Sequence, residues 1–299
     1  MKRYIILFAF IGGISMTARS QQLQTSSLYD MQGMLHNPST AGANGYGMVG
    51  LTYRSQWSHL SGSPKTATAF GSFDMPAQKI GLGGYIYNDQ TGATSRTGID
   101  LAFAKYIPMK DGARLSFGID ARAQQFSIDR AKLSQTLGSD PAIGSSDNKF
   151  KFDAGFGISY TSKKLQVGVS ASQLIQSKLD FYNGSLTPAE EGRLYRHYYF
   201  HGLYHLKLDE STVITPNFLM IYLPNAPTEF QGGVRVEHNE LFWWGVSYRA
   251  RQSFMLSAGV TISKKFVIGY SFDIYKTPLS VYDAGSNAHE VLLRYNFIK

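Results

Sequence analysis

The sequence predicts an all-β fold: a transmembrane outer-membrane β-barrel of about fourteen antiparallel strands, with a short N-terminal segment plugging or underlying its lumen. Three observations carry this reading. Beyond residue 45, apolar residues recur at every second position, and almost no helical period is present. The alternating segments run to about ten residues, longer than soluble strands usually are and close to what a tilted bilayer crossing needs. Their connections alternate between tight and long, as the periplasmic turns and outer loops of such barrels do.

Taken in order, the chain opens with Lys2 and Arg3 ahead of an apolar run from Tyr4 to Ile14, then Ala18-Arg19-Ser20. Residues 1–20 therefore read as a signal peptide cleaved before Gln21. The apolar run is shorter than the roughly 20 residues of a spanning helix. There is no Cys, which closes the lipoprotein route and leaves an exported chain without disulfides. Loss of Lys2, Arg3 and Arg19 takes the net charge from +8 to +5 for the mature chain. This balance reads as a surface property. An exported chain without a basic helix interleaved with aromatics gives no nucleic-acid reading.

Residues 21–44 are too polar and too short to fold alone, so they are expected to plug the lumen or lie beneath it, with 45–299 forming one barrel. Within the first segment, Asn37-Pro38 bars the α region and opens a turn, and Gly42, Gly45 and Gly47 ease the backbone into extension. The first strand ends in Arg54-Ser55-Gln56-Trp57, followed by a short loop and Pro64-Lys65-Thr66. Arg54, Gln56 and Trp57 read as residues that fix this stretch for a plug or a partner.

Period two is strict from Phe150 to Tyr160, where Phe150, Phe152, Ala154, Phe156, Ile158 and Tyr160 oppose Lys151, Asp153, Gly155, Gly157 and Ser159. It recurs around Leu115–Arg122, Ser253–Ile262, Phe266–Ile274 and Val291–Phe297. The strands are placed at 46–57, 65–74, 79–88, 96–107, 113–126, 150–161, 165–173, 197–207, 211–222, 230–238, 241–249, 253–262, 265–275 and 288–298. Long outer loops fall at 127–149, 174–196 and 276–287, which puts both termini in the periplasm. Aromatics at strand ends, such as Tyr53 with Trp57 and Phe242-Trp243-Trp244 with Tyr248, suit interfacial girdles.

Chemical motifs are absent: no GxSxG, no GxxxxGK[ST], no HExxH and no Cys-based metal pattern, so no enzyme, cofactor or metal is read. His197, His201 and His205 alternate onto one lumen-facing stripe of a strand. At 3.3 Å rise per residue they are spaced about 13 Å apart, too far to share an ion. Asp180, Glu190, Glu191 and Arg193 read as a solvated outer loop. Asp209-Glu210 and the Lys-bearing turns read as headgroup contacts at the periplasmic rim, and Arg249 with Arg251 as a surface pair at an outer turn, within reach of anionic lipid or glycolipid but with no specific role expected of isolated surface arginines.

The run Tyr29, Asn37-Pro38, Ala41-Gly42, Tyr53-Arg54-Ser55-Gln56-Trp57 and Pro64-Lys65-Thr66 resembles the N-terminal signature of the PorP/SprF family, outer-membrane components of the type IX secretion system of the Bacteroidetes. It departs at Ser39 and Thr40, where the resemblance leads one to expect Ala and an aromatic. The resemblance implies a non-enzymatic role in the outer membrane: export or surface attachment of cargo bearing a C-terminal sorting domain, in association with secretion components, and adhesin delivery in gliding species. On that reading Asn37, Pro38, Gly42, Arg54, Gln56, Trp57, Pro64 and Thr66 are the candidate plug or partner contacts. The competing expectation is a channel for a small solute or fatty acid.

Overall fold

A computed structural model describes residues 26–137, 148–179, 192–224, 226–276 and 287–298. The signal-peptide reading of residues 1–20 lies outside these. The strands are Gly47–Gln56, Lys65–Met75, Ile80–Thr91, Thr94–Pro108, Arg114–Ile128, Asn148–Thr161 and Leu165–Ser172. After the longest outer connections come His197–Tyr204 with Leu206–Lys207, then Thr212–Tyr222, Glu229–His238, Phe242–Arg249, Ser253–Ile262, Phe266–Tyr275 and Asn287–Phe297. His197–Tyr204 and Leu206–Lys207 pair with the same neighbour and form one strand interrupted at His205, so the ring has fourteen strands among the described residues.

Every strand pairs antiparallel with its neighbours in sequence, and the first strand closes on the last from Gly47↔Phe297 to Gln56↔Ala288. Closure leaves no edge, which satisfies backbone groups that lipid cannot. The hairpin of Thr94–Pro108 and Arg114–Ile128 outruns its expected length because pairing continues from Thr94↔Ile128 down to Pro108↔Arg114. The stretch after it, expected as plain loop, begins with a helix, Arg130–Leu137. The Asp129 carboxylate accepts from the Lys132 N–H at 3.1 Å and caps that helix, a local signal that the polar sequence carries without any apolar stripe.

The alternation sorts the two faces. Leu101, Ile119 and Phe152, about 60% exposed, point outward towards lipid. Gly, Ser, Thr and charged residues point inward. Aromatics cluster at both ends of the outer face: Tyr248 with Phe254 at ring centroids 4.9 Å apart, and Phe266 with Tyr295 at 4.7 Å. Trp243 is not part of this girdle. Phe242, Trp244 and Val246 face out, so parity turns Trp243 inward, 3% exposed, onto Gly259 and Gly269.

The lumen is filled by the chain's own start. Three short 3-10 turns, Tyr29–Met31, Gly33–Leu35 and Pro38–Thr40, pack Leu28, Tyr29, Met34, Asn37 and Ser39 into burial. Ser26 and Ser27 contact Arg54, Asp273 and Glu290, near the outer ends of their strands, whereas Gly42 and Ala43 contact Ser72 and Arg114 near the periplasmic ends. The segment therefore threads the lumen from its outer half down to the first strand. It neither underlies the barrel nor remains a periplasmic extension.

Candidate functional site: the lumenal plug and its latch

Asn37 is extended, with Pro38 directly after it, and it caps the third turn. Its Oδ1 accepts from Ser39 N at 3.0 Å and Ser39 Oγ at 2.7 Å. Its Nδ2 donates to the carbonyls of Ile158 and Val169 at 3.3 and 3.2 Å, and lies 3.0 Å from His201 Nε2, which then acts as acceptor. A plug residue thus substitutes for water between two wall strands. The wall makes room by glycine: a Cβ on Gly157 would lie 2.0 Å from Asn37 Oδ1, and one on Gly118 2.2 Å from Ser39 N. The departures from the family pattern have uses here. The Ser39 and Ser159 hydroxyls lie 2.8 Å apart, and Thr40 donates to the Asn37 carbonyl at 2.8 Å.

Where the plug leaves the lumen, Gly42 has φ +70°, a left-handed turn that an L side chain resists. Its N–H donates to Ser72 Oγ at 2.8 Å, and Arg114 donates to the Gly42 carbonyl at 2.9 Å and to that of Ala43. Arg114 is itself held 3.3 Å from Asp74.

At the other end stands the latch. Arg54, 2% exposed, reaches Asp273 at 2.6 Å and Glu290 at 3.1 Å, and donates to Ser27 Oγ at 2.8 Å and Tyr275 OH at 3.2 Å. Ser27 in turn donates its N–H to Glu290 at 2.7 Å and its hydroxyl to Asp273 at 2.7 Å. Ser26 donates to Glu290 at 2.6 Å, and its carbonyl accepts from Gln231 at 3.1 Å. Arg249 is buried beside this cluster, 3.6 Å from Asp273 and donating to Gln231 at 3.1 Å. That corrects the reading of Arg249 as a surface residue at an outer turn: it has the inward parity of Trp243. Midway along, Tyr29 donates to Asn217 and Arg235 pairs with Asp30.

Of the residues singled out from sequence, Asn37, Pro38, Gly42, Arg54 and His201 lie in the lumen, Arg54 in its outer half, Gly42 where the plug leaves it, and Asn37 against His201 between them. Thr66 is also buried on the inner face, opposite Arg54 in the strand register, whereas Gln56, Trp57 and Pro64 sit at the outer ends of their strands. The Gln56 N–H donates to the Pro64 carbonyl at 2.9 Å, Thr66 donates to Asp89 at 2.7 Å, and Trp57, at φ +50°, meets Tyr275 edge-on at 6.3 Å. His197 is buried against Tyr199, and His205 pairs with Thr215 at 3.0 Å, so of this stripe only His201 hydrogen-bonds the plug. Among the described residues no group of His, Cys, Asp or Glu could hold a metal. Asp180, Glu190 and Glu191 lie outside the described residues, while Arg193 forms an isolated bridge with Lys178. Ser27, Asp273 and Glu290 were missed by motif reading, although period two alone places Asp273 and Glu290 on the inner face.

Closed, antiparallel and lipid-faced, the chain is an outer-membrane β-barrel protein. A family model described as the type IX secretion system membrane protein PorP/SprF matches residues 18–295, and the chain belongs to that family. No curated protein matches it. Among solved structures it is similar to the CymD monoaromatic hydrocarbon channel, at TM-score 0.54 and 12% identity over 90% of this chain and 93% of that one. It is also similar to Acinetobacter baumannii Omp33, at 0.51 and 8% over 84% and 98%. A Pseudomonas aeruginosa FadL homologue matches at 0.51 and 10% over 88% and 93%. At these identities the likeness establishes the barrel fold alone.

Proposed function

We propose that this barrel is a docking or anchoring platform of the type IX system, holding secreted proteins with a C-terminal sorting domain and meeting periplasmic and outer-membrane secretion components, and is not itself the conduit. In gliding cells the same platform would serve surface attachment of adhesins. The observation that supports this is the occupied lumen: residues 26–45 are fastened to the wall at both ends and at the middle. A fourteen-stranded barrel filled in this way is too narrow for a folded protein. The surrounding contact is outer-membrane lipid.

The test is affinity purification of the full chain from its native outer membrane, with partners identified by mass spectrometry. Recovery of a large secreted protein together with secretion components supports the platform, and a barrel that purifies alone contradicts it. The rival reading, a channel for a small solute or fatty acid, requires a continuous path past Asn37 and Arg54.

A further inference from the structure

Beneath the plug the lumen keeps a cavity of about 400 Å³ towards the periplasmic end. That volume falls in the range of small-ligand sites. Exposed Asn44 and Lys163 stand at its mouth, the plug residues Met31 and Met34 form its roof, and Trp243 its apolar wall. Methionine and aromatic walls adapt to varied apolar side chains.

Several buried polar atoms of its lining residues lack a partner. Trp243 is 3% exposed and its indole N–H has no hydrogen-bond partner, as is true of Thr161 Oγ1 and Arg294 Nε. Arg235 is already paired with Asp30. Arg294 makes no ion pair among the described residues and donates only a 3.4 Å bond to the Met31 carbonyl. Glu237 is the other carboxylate on the lining. Buried donors left unmatched are costly, and an incoming carboxylate would satisfy them.

We infer that this cavity takes a peptide segment of a periplasmic partner, an apolar side chain entering against Met31, Met34 and Trp243 and a carboxylate meeting Arg294, with the Lys163 charge at the mouth favouring an acidic segment. The inference rests on the docking reading and names where one partner docks. Because plug residues roof the cavity, an occupant touches the plug itself, so periplasmic docking and plug position are mechanically joined.

A photoreactive benzoyl-phenylalanine in place of Thr261, a lining residue, tests this in the full chain in living cells. The expected result is an adduct to a periplasmic protein whose cross-linked peptide carries a carboxylate. Its yield should fall about fivefold or more in Arg294→Gln, which loses a charge-assisted hydrogen bond, and in Lys163→Glu, which reverses the charge at the mouth. Lys163 lies on an exposed turn, so its variant keeps the test valid should Arg294→Gln fail to fold. No adduct, or one indifferent to charge in every variant that folds, overturns the inference. If secretion components still co-purify in that case, the cavity assignment falls and the platform stands; if they do not, both fall.

Discussion

Arg54 and Glu290 face each other across the seam that closes the barrel, a register pair of the first and last strands with Nη1 3.1 Å from Oε2. Ser27 of the plug hydrogen-bonds both of them. Closure of the wall and seating of the plug thus share one buried cluster.

Arg54→Ala should therefore do more than loosen a surface contact. It leaves Asp273 and Glu290 buried with only Arg249 nearby, and breaking such a pair costs about 3–5 kcal/mol. Ser27→Ala removes hydrogen bonds to charged groups, about 1.5–3 kcal/mol, without stranding a charge. Limited proteolysis should show the plug cut readily in both variants, with the heat-modifiable folded band weakened in Arg54→Ala and retained in Ser27→Ala.

The glycine wall makes a separate prediction. Gly157→Ala puts a methyl 2.0 Å from Asn37 Oδ1, an overpacking cost of about 1–3 kcal/mol that falls on the plug. The variant should stay folded but release the Asn37 turn, seen as faster amide exchange at Ser39 and Thr40. Combining it with Asn37→Ala should cost less than the two single changes together, because the clashing atom is gone. Strict additivity would show that the contact is not formed.

At the periplasmic turn, Asp209 accepts from the Ser211 N–H and hydroxyl at 2.8 and 2.9 Å and from the Thr212 N–H at 2.8 Å. These bonds, led by the Ser211 N–H, hold its carboxyl below the usual range. A lowered folded-state value means that the turn's support is present above the ordinary aspartate value of about 3.9 and is lost only as pH falls through the folded value. Exchange protection at Ser211 and Thr212 should persist down to pH about 4 and fall in Asp209→Ala, which removes the acceptor.

Much of the barrel was legible because lipid and lumen demand opposite residues at alternate positions, and tight turns alternate with long loops. The strand spans, the even number and the inward stripe of His197, His201 and His205 follow from those rules. The latch was harder to read, since Arg54 finds partners more than two hundred residues away in sequence and nothing local marks them. Trp243 and Arg249 show a different difficulty. Three consecutive aromatics from Phe242 mask the parity that turns both residues inward, even though Gly259 and Gly269 leave the hollow that Trp243 fills. The direction of the plug, from outer half to periplasmic end, is set by tertiary contacts and has no periodic signature.

The central claim, a barrel sealed by residues 26–45 and serving as a platform, is tested most directly by conductance in planar bilayers. The intact protein should give no steady current, and Ser27→Ala combined with Gly157→Ala should give discrete openings while keeping the folded band. A steady, solute-dependent current through the unaltered protein would contradict the account and establish the channel instead.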